Sequence, residues 1–188
     1  MAMAVALGCA GGAQAANLVT NGSFETGDFT GWTTNEVSYP EYIVGSPVED
    51  GVYSAQIAGY SYGPDTLSQV VTTTAAQAYT LSFWFWQDAG TPSGIDVSWD
   101  GVSIFSTTDI DTGGLFQQVT RTVTGLGSDS LVFSAYNDPA WTYVDNVSLT
   151  DGAVPEPGVW AMLLLGVGLM GGCLRRARRG TAASTTLA

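Results

Sequence analysis

The central part of this 188-residue chain predicts an all-β domain, a two-sheet β-sandwich or jelly roll, and three observations predict it. Apolar and polar residues alternate with period two in short runs. Gly, Asp, Asn and Pro separate those runs, and no stretch of the body sustains a 3.6-residue apolar period. The runs amount to about eight to ten strands, the number two packed antiparallel sheets use.

The chain opens with MAMAVALGCAGGAQAA, an apolar stretch ending in small residues. Ala13-Gln14-Ala15 fits the A-x-A pattern of signal peptidase, so residues 1–15 are expected to be a signal peptide cut after Ala15. It lacks a positively charged n-region, and the expectation is therefore a signal truncated at its start. A lipoprotein reading through Cys9 is weaker, because Ala6 stands where Leu is usual.

The body follows, with a domain expected over residues 16–152. After an N-terminal segment counted among the strands, runs at Tyr53–Ala58, Leu67–Thr73 and Tyr79–Trp86 read as strands. In the last of these Leu81, Phe83 and Phe85 point one way and Ser82, Trp84 and Trp86 the other. Ile95–Trp99 and Val102–Phe105 flank Asp100-Gly101, a pair that tolerates positive φ in a tight turn, and so form a hairpin. Phe116–Val123, Ser130–Tyr136 and Trp141–Leu149 complete the set.

Charge and inventory bound the chemistry. Between Asn17 and Val154 there is one arginine, Arg121, against sixteen carboxylates, a formal charge of −15 (1 − 16), and such a surface repels nucleic acid. The chain has no histidine or lysine, and both cysteines, Cys9 and Cys173, lie in terminal apolar segments. Ser-His, Cys-His and Ser-Lys catalytic pairs are thereby excluded from the body, as are disulfides and His or Cys zinc sites. Hard cations with oxygen ligands remain, and calcium is the natural one outside the cell. A glycosidase carboxylate pair could be drawn from sixteen acids, but no segment singles one out. The expectation is a non-enzymatic protein; the alternatives are a small glycan-active enzyme and a plain membrane-anchored structural protein.

The body resembles the jelly-roll carbohydrate-binding-module and galactose-binding-like superfamily. The resemblance rests on Asn17-Leu18-Val19-x-Asn21-Gly22-Ser23-Phe24-Glu25, continuing to Gly31-Trp32, and on Tyr143-Val144-Asp145-Asn146-Val147-Ser148-Leu149. It implies a structural calcium joining Glu25 to Asp145, with carbonyls near Glu49-Asp50-Gly51 completing the shell. It also implies sugar recognition on aromatic platforms. Trp32, Trp84, Trp86, Tyr136 and Trp141 are available, and Trp84 and Trp86 lead because the other face of their strand is already apolar.

The tail, residues 153–180, begins Val154-Pro155-Glu156-Pro157-Gly158-Val159-Trp160-Ala161 and continues uncharged to Leu174. Pro157–Leu174 is eighteen residues, at the lower limit for spanning a bilayer. Arg175, Arg176, Arg178 and Arg179 follow, and the positive-inside rule keeps them cytoplasmic with the acidic body outside. Within this run Gly166-x-Gly168-x-x-Gly171 follows no strand, so it is no dinucleotide site.

This tail resembles the PEP-CTERM sorting signal in its PEPxxWA form, through Pro155, Glu156, Pro157, Trp160 and Ala161 with the helix and arginines in order. The resemblance implies recognition by an exosortase after transit through the inner membrane, and delivery to the cell surface or the exopolysaccharide matrix. Extracellular polysaccharide is the expected further partner. Residues 181–188 are expected to be a disordered end.

Overall fold

Ten strands form where side chains alternate and turn residues interrupt. The computed structural model describes residues 15–37, 40–57 and 63–152. The signal-peptide and sorting-tail expectations fall on residues 1–14 and 153–188, outside the described residues. The chain divides into two units, Met1–Gly152 and Ala153–Ala188, and the sandwich belongs to the first.

The strands are β1 Thr33–Asn35, β2 Tyr42–Val44, β3 Ser54–Ile57, β4 Asp65–Thr72 and β5 Ala78–Gln87, followed by β6 Ser93–Trp99, β7 Val102–Thr108, β8 Gln117–Thr124, β9 Ser128–Asn137 and β10 Thr142–Asp151. The first sheet runs β1-β4-β9-β6-β7 and the second β2-β3-β10-β5-β8, with every pairing antiparallel. The long strands agree with the alternation in the sequence to within two or three residues. Two elements differ from expectation. The N-terminal segment forms turns instead of a strand, because Asn21 and Phe24 adopt φ of 50° and 59°. β1 and β2 have only three residues each, too few to show a period.

The inner faces interlock through aromatic rings. Phe24 lies 5.5 Å from Trp32, Trp32 lies 6.1 Å from Phe133, and Phe133 meets Phe83 edge-on at 5.1 Å and 89°. Phe24, Phe83 and Phe133 are fully buried with Leu67, Leu81, Ile95, Leu131 and Leu149, so the N-terminal turns close one side of the core. Those turns dock along β10: Leu18 N donates to Leu149 O at 2.8 Å and Val147 N to Gly22 O at 2.8 Å.

Arg121, the only cation between Asn17 and Val154, serves the fold. Its Nε donates to Ile104 O at 2.9 Å and its guanidinium lies 5.5 Å over the Phe105 ring, bridging edge strands β8 and β7. The guanidinium thus satisfies a backbone acceptor where each sheet runs out.

Candidate functional site

At the end of the first sheet where β6 begins, the outer face presents small polar residues and one aromatic ring. Tyr136 on β9 stands opposite Gly94 on β6, and Gly94 opposite Thr108 on β7. One pleat further, Thr66, Ser134, Asp96 and Ser106 form the next row. The Tyr136 ring reaches across β6: a Cβ at Gly94 would meet its Cε1, Cζ and hydroxyl oxygen at 2.7, 2.8 and 2.9 Å. Only glycine leaves room for that ring, so two strands jointly lay it on the sheet. Pro64, at the start of β4, closes a pocket of about 150 Å³ over these residues.

Among the described residues, the Ser106, Thr108 and Ser134 hydroxyls make no hydrogen bond within the protein. Asp96 accepts one from Ser103 and is the one carboxylate in the lining. A half-buried aromatic with unspent hydroxyls and one acidic acceptor suits a ligand that offers both C–H surface and hydroxyl groups. The pocket is well below the roughly 300 Å³ typical of drug-sized ligand sites and matches a single small ring. Paired carboxylates across a cleft, which glycoside hydrolysis needs, are not part of this lining.

Trp84 and Trp86 lie on the opposite side of the sandwich, on the outer face of the second sheet. Trp84 stands between Asp145 and Gln118 in register. Trp86 stands beside Tyr143, with ring centroids 5.3 Å apart, and meets Phe116 edge-on at 5.8 Å. Both tryptophans are half-buried. The Tyr143 hydroxyl hydrogen-bonds Asp88, and burial foremost pushes its pKa up.

Glu25 and Asp145 both address one loop. Glu25 Oε1 accepts from Val52 N and Tyr53 N, each at 2.9 Å, and the carboxylate lies against Gly51, whose φ of 70° carries the turn. Fully buried Asp145 accepts from Glu49 N at 2.8 Å, Asp50 N at 3.1 Å and Asn146 N at 2.7 Å. Asn146 Nδ2 in turn donates to Glu49 Oε2 at 2.9 Å. Burial raises the Asp145 pKa to about 6, outweighing the three amide donors that lower it. Loop 49–53 is thus pinned from both sides by acid–amide contacts. Among the described residues no group of three or more His, Cys, Asp or Glu side chains is gathered to hold a metal ion, so a calcium shell here would need backbone carbonyls. The oxygens left for it are Glu25 Oε2 and the remaining lone pairs on Asp145.

Another buried acid was not singled out in the sequence. Glu41, only 6% exposed, has no hydrogen-bond partner for either carboxylate oxygen among the described residues. Burial, then the nearby charges of Asp65 and Glu36, push its pKa up to about 8.

Comparison with known proteins bears on the fold and the family. Residues 16–122, more than half of the chain, match a family described as carbohydrate binding domain. The chain belongs to that family. In the carbohydrate-binding domain the match takes in β1 to β7 and most of β8. Residues 153–179 match the PEP-CTERM protein-sorting motif. A multifunctional-autoprocessing repeats-in-toxin protein of Vibrio vulnificus is 32% identical over 143 residues, which is 71% of this chain and 3% of that protein. This chain therefore spans a small fraction of the length of the curated relative it matches. Among solved structures, TmCBM61 in complex with β-1,4-galactotriose is similar with a TM-score of 0.54 and 21% identity, covering 73% of this chain and 99% of that one. The CBM22-1–GH10 modules of Clostridium thermocellum xylanase 10B, complexed with xylohexaose, give a TM-score of 0.56 and 14% identity over 73% of this chain and 29% of theirs. At these identities the structures share the fold.

Tyr136 stood among the five aromatic platforms readable in the sequence; Gly94 did not. The signal for Gly94 is a glycine in the middle of an alternating strand, which marks a close approach by another group. Its partner is set by the β6–β9 register, which no single strand carries.

Proposed function

We propose that the chain is an exported, non-enzymatic surface protein whose carbohydrate-binding domain holds a neutral polysaccharide at the Tyr136 pocket. Exosortase then sorts it through Pro155, Glu156, Pro157, Trp160, Ala161 and the four tail arginines. The observation that carries the binding reading is the Tyr136 ring laid over Gly94 beside unspent Ser106, Thr108 and Ser134 hydroxyls. A net −15 between Asn17 and Val154, with Arg121 committed to Ile104 and Phe105, disfavours polyanionic sugars.

Affinity electrophoresis of the full chain in β-1,4-galactan and in xylan tests the site. Tyr136→Ala is expected to weaken binding about tenfold, the value of one lost stacking contact and its hydroxyl. Gly94→Ala should act similarly, because its Cβ displaces the ring. A Tyr136→Ala protein that binds like wild type, with an unchanged melting temperature, places the ligand elsewhere. Sorting is read by mass spectrometry of the C-terminal peptide with and without exosortase. A mature form that keeps residues 175–188 in both cases rules out processing.

Calcium belongs to the same reading as a structural ion of loop 49–53. What supports it is that Glu25 and Asp145 grip that loop from two sides, and the burial of an Asp145 carboxylate with no cation beside it among the described residues.

A further inference from the structure

A row of side chains crosses four strands on the outer face of the second sheet and ends just before the fifth. Tyr42 on β2 pairs with Gln56 on β3, Gln56 with Tyr143 on β10, and Tyr143 with Trp86 on β5. Phe116, one residue before β8, extends the row beside Trp86. Four strand spacings make the row about 19 Å long. Tyr42 is 49% exposed at one end, and Trp86 and Phe116 are half-buried at the other. The Tyr143 ring, only 8% exposed and tied through its hydroxyl to Asp88, packs against Trp86 at a tilt of 38°, so it backs the row while Tyr42, Trp86 and Phe116 supply the accessible rings.

The chemistry of the row narrows its occupant. It contains no aliphatic side chain and no charge: aromatic rings alternate with the carboxamide of Gln56, and Gln118 and Thr120 flank it exposed on β8. Rings bordered by amides and hydroxyls suit sugar, which lays its C–H face on a ring and hydrogen-bonds at the edge. A formal −15 with its single arginine engaged at the other edge leaves no attraction for a polyanion. The pocket on the first sheet holds about 150 Å³, a single ring, while the strip offers length for several.

We propose that this strip is a second, independent site for a neutral polysaccharide, so that one domain bridges two chains from opposite faces of its sandwich. The inference rests on the reading that the domain binds polysaccharide, and it adds bridging to it. The bridge would turn a surface-sorted domain into a cross-link of its own matrix.

The test uses the full chain with soluble β-1,4-galactan and xylan, reading gel retardation and solution viscosity, for wild type, Tyr136→Ala, Tyr42→Ala, Trp86→Ala and the Tyr136→Ala/Tyr42→Ala double variant. Wild type is expected to be retarded and to raise viscosity. Each single variant is expected to stay retarded, about three- to tenfold more weakly, and to lose the viscosity rise; the double variant should lose retardation. Tyr42 is exposed, so its variant keeps the test decisive if Trp86→Ala fails to fold.

If Tyr136→Ala alone abolishes retardation, or Tyr42→Ala raises viscosity like wild type, the second site is overturned and the pocket stands. If only strip variants matter, bridging is overturned and the pocket reading fails with it. If wild type is retarded in neither polysaccharide, both readings fail. A wild-type dimer by light scattering that Tyr42→Ala dissolves makes the strip a subunit interface and overturns the proposal.

Discussion

Replacing Asp145 by alanine is expected to lower the unfolding free energy by about 3–5 kcal/mol, because several amides lose their acceptor in a buried site. The amides are those of Glu49, Asp50 and Asn146, and Asp145 itself is fully buried. For a domain of this size the melting temperature should fall by roughly 10–20 °C. Asp145→Asn keeps the shape and one acceptor oxygen, and should cost about half as much. Millimolar calcium is expected to raise the melting temperature of wild type but not of Asp145→Ala, and chelation should reverse the rise. An equal response in both would leave amide pinning as the whole role of Asp145. Binding at the Tyr136 pocket should not change in the protein that remains folded, because that pocket lies on the other sheet.

Raising the pH should destabilise the calcium-free domain. Glu41 has its pKa pushed up to about 8 and Asp145 to about 6, against ordinary values of 4.5 and 3.8. An acid whose folded pKa is raised binds its proton more tightly when folded. Its stabilising contribution is fully present below the unfolded pKa, and it is lost as pH rises through the folded one. For Glu41 that window is pH 4.5 to about 8, and for Asp145 it is 3.8 to about 6.

The Glu41 contribution, discounted for solvent screening, comes to about 2 kcal/mol, or about 6 °C in melting temperature between pH 5 and pH 8.5. Repulsion among sixteen carboxylates acts in the same direction. Exposed Asp28 opposes weakly, its pKa lowered first by the Thr30 hydroxyl and then by Thr26. Thermal melts of wild type and Glu41→Gln across that range check the assignment: the variant should show a flatter profile. A wild-type protein more stable at pH 8.5 than at pH 5 would refute it.

Alternation made the central strands legible. Leu81, Phe83 and Phe85 do face the core, and Asp100-Gly101 does turn the β6–β7 hairpin with φ of 51° and 77°. Such features are local: each is written in consecutive residues, and burial of one face enforces it. The candidate site is non-local. Tyr136 acquires its orientation from Gly94, 42 positions earlier in the sequence, through a register that exists only once β6 and β9 pair. Glu25 and Asp145 were visible as acids in motifs, yet their observed partners are backbone amides of loop 49–53, which carry no side-chain signature. Glu41 gave no signal, since a Glu beside a Tyr reads as a solvated loop until burial is known.

The pocket and the exit of the chain lie at opposite ends of the sandwich. Tyr136, Gly94 and Thr108 lie where β9 ends, β6 begins and β7 ends, beside the turn that leads into Thr142. The chain leaves the domain at the far end of β10, where Gly152 N donates to Ala78 O. If, as proposed, a polysaccharide is held at Tyr136 and the tail is attached beyond Gly152, a pull between the two would run along the strands. β10 is laced to β5 over most of its length, to β3 over its first three residues, and to the N-terminal turns at Val147 and Leu149. Ladder bonds lie across that direction. They would be loaded together in shear, instead of being unzipped one by one, which is the mechanical geometry suited to a tether.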